Sequence, residues 1–371
     1  MSALWEQHRA QFPVTANLIY LNHAAVAPLS KPAADAMAHL AADACHWGSL
    51  HYDGWLETYE GLRVGAARMI GAHRDEIAVV KNTSEGIATV ALGLDWRAGD
   101  KVVAFREEFP ANYYPWQRLA PKGVRVEWLS IYDPLDRIDA ACDGAHLLAI
   151  SYVNYLSGHR VDLDAIGEIC RRRGTFFFVD AIQGLGAFPI DVRRAGIHAL
   201  AADGHKWLLG PEGCGVLYIQ KEFQDSIEPV EFGWTNVAAY ADYASRDMAL
   251  RSDAGRYECG TLNTIGIYGL RASFDYLNGI GVEQIRPAVL ALSERMEAGV
   301  RAKGCEVLGT GSDAHRSGIV SFRKEGIDSR MIVKKLRENG IVAAPRQGWV
   351  RASPHFYIAP AEIDRMLELI P

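Results

Sequence analysis

Phe176-Phe177-Phe178-Val179-Asp180-Ala181-Ile182-Gln183 runs from four apolar residues into an aspartate and then into a turn. A short apolar run bounded by a turn reads as a buried strand, and strands buried on both faces belong to parallel sheets. Runs of the same kind lie outward in both directions, at Lys101–Phe105, Val124–Leu129, His146–Val153, Ala199–Ala202 and Gly215–Ile219. Segments of helical spacing separate them; in Asp162–Arg173 the residues Leu163, Ile166 and Ile169 share one face. Strands alternating with helices predict βαβ units, hence an α/β fold on a mostly parallel sheet.

The 371 residues suggest about two domains at ~150 residues each. The alternating pattern predicts a large domain over 17–270. The pattern then changes to two long helices, about Thr264–Asn278 and Glu283–Lys303. Strand candidates Ile319–Phe322 and Ile341–Ala344 and helix candidates Ser329–Glu338 and Ala361–Leu369 follow. These predict a smaller C-terminal α+β domain over 271–371, joined by 1–16. Glu222–Gly260, rich in Tyr, Trp, Asp and Ala, reads as a long irregular connection of the kind that often carries function.

Composition excludes several classes. The net charge is −6, and the longest basic run, Arg171-Arg172-Arg173, stands just before Gly174, which is the cationic last turn of a helix. No nucleic-acid partner is expected. No apolar stretch approaches ~20 residues, and the first residues lack an apolar signal core, so no membrane span or secretion signal is expected. The six cysteines at 45, 142, 170, 214, 259 and 305 form no CxxC pair, which favours a reduced, cytoplasmic protein. No metal site is expected.

Chemistry concentrates in three elements. Asp180 ends its strand where ligands of open parallel sheets sit, although it would also serve as the cap of a following helix. Lys206 lies in Asp203-Gly204-His205-Lys206-Trp207-Leu208-Leu209-Gly210-Pro211, after another apolar strand. Apolar neighbours desolvate an amine, lower its pKa and make it a better nucleophile toward a carbonyl; most lysines are simply solvated. Lys81-Asn82-Thr83-Ser84-Glu85-Gly86 precedes the helical run Ile87–Leu94. Thr83 or Ser84 is a natural N-cap there, and a helix N-terminus is also an anion site.

Together these elements resemble the fold-type I pyridoxal-phosphate enzymes, and within them the class V aminotransferase superfamily of cysteine desulfurases, selenocysteine lyases, kynureninases, epimerase-like proteins and C–S lyases. The resemblance extends from Tyr20-Leu21-Asn22-His23-Ala24-Ala25 to Arg351-Ala352-Ser353-Pro354-His355-Phe356-Tyr357 and is strongest over Val179–Val192 and Asp203–Gly215. It implies pyridoxal 5'-phosphate as cofactor, an amino acid as substrate and a homodimer with shared sites. It implies that Lys206 forms the Schiff base and moves the α-proton, and that Asp180 pairs with the ring nitrogen. Asn154 and Gln183 fall where the family bonds the cofactor's phenolic oxygen. Thr83, Ser84 and His205 match phosphate positions, as does Thr261 in Tyr257-Glu258-Cys259-Gly260-Thr261-Leu262-Asn263, whose loop reaches the neighbouring subunit in the family. Asp203 stands where many desulfurases have a phosphate-binding serine, so it must turn away or pair with a cation or with His205.

Arg351 matches the arginine that clamps the substrate α-carboxylate, a task suited to a bidentate guanidinium. Arg346 lies close enough in sequence to reach the site or the substrate side chain. Asn22 and His23 belong to the segment lining the family's cleft; His23 either touches substrate or is a structural histidine. Glu107-Glu108-Phe109-Pro110-Ala111-Asn112 aligns with a motif that holds a stacking histidine in cysteine desulfurases. Here Phe109 would cover the ring, as in the epimerase-like and C–S lyase branches.

Desulfurases also carry a catalytic cysteine on a loop shortly before the C-terminal arginine, and Val342–Arg351 has none. The resemblance therefore leads first to β-elimination, with C–S cleavage of a cysteine-derived amino acid or its sulfoxide to pyruvate, ammonia and a sulfur product. Transamination with a 2-oxo acid is the second reading, and epimerisation the third. A cofactor-binding protein without catalysis would fit poorly with both Lys206 and Asp180 present.

Overall fold

The structure is a computed structural model that describes residues 2–309 and 312–371. Seven strands form the main sheet: β1 (Ile77–Val80), β2 (Lys101–Phe105), β3 (Arg125–Leu129), β4 (Leu147–Ser151), β5 (Phe176–Asp180), β6 (Ala199–Asp203) and β7 (Gly215–Ile219). Their spatial order is β1-β7-β6-β5-β4-β2-β3. From β6 to β3 all pairings are parallel, and β7 runs antiparallel to both of its neighbours. The parallel block has its C-terminal strand ends on one edge. Ser151, Asp180 and Ala201 stand in register across it.

β4 to β7 are buried along their whole length, as continuous apolar runs predict when helices cover both faces. Helices α1 (Lys31–Trp47), α2 (Tyr52–Ile70), α3 (Thr83–Gly93), α4 (Leu163–Arg173) and α5 (Thr264–Ile280) belong to these layers. α3 lies close on the sheet because Gly86 faces Ala201: a Cβ at residue 86 would come within 2.8 Å of the Ala201 Cβ. The cap of α3 is neither Thr83 nor Ser84. The Asn82 side chain accepts from the Glu85 N–H at 3.0 Å, one residue earlier than the sequence suggests.

The smaller sheet, β8 (Glu306–Leu308), β9 (Val320–Arg323), β10 (Ala344–Arg346) and β11 (Trp349–Ala352), is antiparallel in the order β10-β11-β9-β8. Two features bear on the expected division of the chain. Helix α5 runs unbroken through residue 270, so the boundary expected there falls inside a helix. Ile19–Tyr20 pairs with Ile341–Val342, and Asn22 bridges Ser353, so the segment after residue 16 is tied to the C-terminal unit. Residues 222–260 are irregular apart from 3-10 turns at Lys221–Ser226 and Ala254–Tyr257, a bridge from Ile227 to Leu94 and a bridge from Val237 to Leu250.

Candidate active site

The strand ends and the β11 arginine converge on Lys206. This residue follows β6 in a turn whose following residues Trp207, Leu208 and Leu209 are buried. Burial pushes its amine down from 10.5 to about 8; Asp180 and Asp203 act against this, and Arg351 and Arg346 reinforce it. Among the described residues the amine makes no hydrogen bond or ion pair. The Phe109 ring lies beside it, its centroid 5.8 Å from Nζ. The ring is 47% exposed and meets Tyr155 edge-on at 5.3 Å.

Asp180 ends β5 and is 3% exposed. It caps no helix: one carboxylate oxygen accepts from the Ile182 N–H at 3.0 Å within a turn. Burial raises its carboxyl from 3.8 to about 6, against the pull of Ile182 and Lys206. At neutral pH it is mainly an anion in a poorly solvated place, a suitable partner for a buried cation.

Asn154 and Gln183 are largely committed to the frame. The Asn154 amide oxygen accepts from Leu156, Ser157 and the Ser157 hydroxyl, and its Nδ2 donates to the Glu107 carbonyl at 2.7 Å. Gln183 donates to the Ala24 carbonyl at 3.0 Å and accepts from Trp207 Nε1 at 2.9 Å. Each amide keeps one N–H free of these bonds.

At the other end of the cleft, the Thr83 hydroxyl is buried without a partner, and Ser84 is exposed beside it in the first turn of α3. The first amides of a helix have no intrahelical acceptor, so this turn adds free donors. His205 Nδ1 lies 3.1 Å from Asp203 Oδ2, a distance that fits an ion pair. The angle does not make a hydrogen bond, and Nδ1 and the other Asp203 oxygen are both buried without one. The pair is a close contact with polar atoms left for another partner. Asp203 thus stands beside His205, one of the two arrangements expected for it. Thr261 is exposed, away from any described partner.

Arg351 is 2% exposed. One of its terminal nitrogens donates to the Tyr155 carbonyl at 2.7 Å, while Nε is buried with no acceptor. Burial and the neighbouring Arg346 lower it to about 10. Arg346 is exposed and bonds only the carbonyl before it. Asn22 presents a buried amide oxygen with no partner.

His23 does not line the cleft as a contact for substrate. It is 0% exposed, and its two ring nitrogens lie 2.8 Å from the Ser353 carbonyl and 2.6 Å from the Tyr357 hydroxyl. Burial lowers it to about 4, so it is a neutral structural histidine with no free polar atom. Sequence reasoning missed Tyr155, which touches Phe109, Arg351 and Gln347, and Glu108, which is buried beneath the Phe109 loop. The adjacent acids before Phe109 were the available signal.

The residues fit pyridoxal phosphate. An unpaired buried amine, a buried acid and orphaned buried donors at Thr83 and Arg351 are groups that a bound cofactor and substrate would complete. A cavity of about 800 Å³ near Tyr132, Tyr152 and Arg286 includes none of these residues, so chemistry and not volume locates the site. Among the described residues no cluster of three metal-ligating side chains occurs, and no helix is long and apolar enough to cross a membrane.

Residues 19–365 match the family described as aminotransferase class-V. A probable cysteine desulfurase of Methanothermobacter thermautotrophicus is 32% identical across 98% of this chain and 97% of its own length. An uncharacterized aminotransferase of Bacillus subtilis is 31% identical across 100% and 98%. Among solved structures, apo cysteine desulfurase from Thermococcus onnurineus superposes with a TM-score of 0.90 at 30% identity, covering 98% of this chain and 96% of that one. The cystine C–S lyase C-DES, in complex with its product cysteine persulfide, superposes with a TM-score of 0.89 at 25% identity, covering 96% and 98%. The chain therefore belongs to the class-V aminotransferase family, as an α/β enzyme of fold type I that depends on pyridoxal phosphate.

Proposed function

We propose that this enzyme cleaves the Cβ–S bond of a cysteine-derived amino acid or its sulfoxide by β-elimination, releasing pyruvate, ammonia and a sulfur product. The observation that carries this reading is the β10–β11 hairpin. Arg346 pairs with Trp349, so Gln347-Gly348 is a two-residue turn, and both have positive φ, 47° and 84°. That is the geometry of the tightest hairpin connections. It leaves no loop to bring a thiol to Lys206, so sulfur leaves without passing to a protein cysteine. Relatives named for desulfuration and for cystine C–S cleavage support a sulfur amino acid as substrate.

When bound, pyridoxal phosphate withdraws electrons from the substrate α-carbon and acidifies its C–H bond. The chain supplies the rest. Lys206 Nζ takes the α-proton, and its depressed basicity lets it hold and return that proton near neutral pH. Asp180 would keep the ring nitrogen charged. Thr83, Ser84 and His205 would hold the phosphate, with Thr261 of the partner in a homodimer. Asn154 and Gln183, each with one N–H to spare, would bond the phenolic oxygen. Phe109, its centroid 5.8 Å from Lys206 Nζ, would cover the ring. Arg351 fixes the α-carboxylate, with Asn22 and Arg346 toward the side chain. Exposed Trp47, Leu50, Tyr243 and Met248 support burial between two copies.

The test is a panel of S-substituted cysteines and sulfoxides assayed together for pyruvate, ammonia and sulfur products. Absence of pyruvate throughout, or a persulfide trapped on a protein cysteine after incubation with L-cysteine, overturns the reading. The relative named as an aminotransferase favours transamination as the second reading; a pyridoxamine form accumulating with an amino donor would establish it. Solvent exchange of the α-proton without product would instead indicate epimerisation.

Arg351→Ala should lower kcat/KM by about 2–5 kcal/mol, the usual cost of truncating one partner of a buried charge pair, or roughly 30- to several-thousand-fold. Most of the loss should fall on KM. Steady-state kinetics on the active substrate measures it, and an unchanged KM would remove Arg351 from substrate binding.

A further inference from the structure

The loop that carries Phe109 holds two neighbouring acids facing opposite ways. Glu107 reaches back to the loop after β3: its carboxylate accepts from the Ser130 hydroxyl at 2.8 Å and from the Ile131 N–H at 3.1 Å. Its backbone carbonyl accepts from Asn154. Glu108 turns inward and is 7% exposed. One of its oxygens accepts from the Ser151 N–H at 2.6 Å, and the other bonds the Ser151 hydroxyl. Asn112, fully buried in the same loop, bonds Trp116 Nε1 at 2.9 Å and lies against Glu108. Ser151 ends β4 and is the register partner of Asp180 on β5. One carboxyl thus joins the loop above the site to the strand beside the acid below it.

We propose that Glu108 is a positioning residue: its carboxyl pins the Phe109 loop to Ser151 and so sets the height and tilt of the Phe109 ring over Lys206. The proposal rests on reading Phe109 as the ring's cover. Glu108 itself is assigned no contact with substrate or cofactor. A ring held only by its own short loop would sample several tilts. Bonds from Glu107, Glu108 and the Asn154 amide fix the loop on three sides.

Glu108 does this as a neutral acid. Burial and the charge of Asp180 raise it from 4.5 to about 8, and the bonds from Ser151 offset only part of that. In the neutral form one oxygen still accepts from the Ser151 N–H, and the acid proton is shared with the Ser151 hydroxyl. An ionised Glu108 would place a second buried carboxylate beside Asp180, which burial already raises to about 6. The charged groups near it are Asp180 across the strand pair and, on the far side of Asp180, Lys206; Glu107 is turned to residues 130 and 131. Because the folded group titrates near 8 and a free one near 4.5, the unfolded chain gives up this proton first. The stability tied to this carboxyl therefore falls as pH rises from 4.5 to 8 and is level above that.

Glu108→Gln keeps both bonds to Ser151 and cannot ionise. Melting of the apoprotein should show the variant equal to wild type near pH 5 and more stable at about pH 9, with the pH dependence flattened. In the holoenzyme its visible circular dichroism, which reports the tilt of the bound ring, should match wild type. Glu108→Ala should lose most of that signal and about tenfold or more in kcat, with KM within about twofold. If Glu108→Gln is the less stable protein at about pH 9, the acid works as an anion and the proposal fails. It also fails if Glu108→Ala keeps the signal and kcat while melting lower, since Glu108 would then be structural only. Should the alanine variant not fold, Glu108→Asp, too short to span to Ser151, replaces it with the same expectations. The apoprotein melting is independent of the reaction catalysed, so failure of the elimination reading and failure of this proposal are separable.

Discussion

Lys206→Ala should lower kcat by at least about 10³-fold, since it removes both the covalent anchor of the cofactor and the group that moves the α-proton. The cations whose charge acts on this amine, Arg351 and Arg346, are guanidiniums, and a guanidinium does not exchange protons near neutral pH. Asp180 lies on the cofactor side and is held in its turn by Ile182. The variant should still bind pyridoxal phosphate through the α3 turn. Borohydride reduction should then fix the cofactor to the Lys206 peptide of the wild type and to no peptide of the variant. In the wild type, the rate of covalent uptake by the apoprotein should rise with pH and level off just above 8, where the buried amine is deprotonated, well short of the 10.5 of a solvated lysine. A Lys206→Ala protein that keeps its turnover would end the assignment of the site.

Lys206 and Asp180 were legible in the sequence for a physical reason. Both follow apolar runs that are buried on two faces, and such runs show in the chain without tertiary information. Phe176–Asp180, Lys101–Phe105 and Gly215–Ile219 form strands with the boundaries their composition predicts. β1 did not declare itself. Ile77–Val80 is short, sits beside a helix signal and gains its strand from antiparallel pairing with residues 215–218, far along the chain. α1 was equally hidden: of its residues only Ala33 and Leu40 are buried, so it has no broad apolar stripe to read. The site shows the same divide. A capping asparagine and a capping threonine are alike in sequence until the backbone decides between Asn82 and Thr83. Whether His23 faces a cleft or the core depends on Ser353 and Tyr357, some 330 residues away. A glutamate with a raised pKa is invisible in the chain, because what raises Glu108 is a strand pair assembled from elsewhere.

Asp180→Ala should lower kcat by about 10²–10³-fold, the usual effect of losing one preorganised charge that acts on the reacting system. The carboxylate ends β5 and, of the two acids that oppose the desolvation of that amine, acts more strongly than Asp203. Removing it should therefore act twice. The cofactor nitrogen loses its counter-charge, which weakens the electron withdrawal that elimination needs. The amine loses an attractive neighbour, so its pKa falls further below 8 and covalent uptake by the apoprotein levels off at a lower pH than in wild type. Asp180→Asn, which keeps shape and the Ile182 bond while losing the charge, should reproduce both changes. Asp180→Glu keeps the charge and should recover part of kcat. The wild-type apoprotein carries one more sign of this acid: as pH falls through about 6 Asp180 takes a proton, and the support it gives to the Lys206 cation is lost. Stopped-flow uptake measured against pH, together with kcat, tests all three variants. If Asp180→Asn keeps wild-type kcat and the same uptake profile, the carboxylate has no electrostatic role in the site, and the pairing of Asp180 with the ring nitrogen must be abandoned.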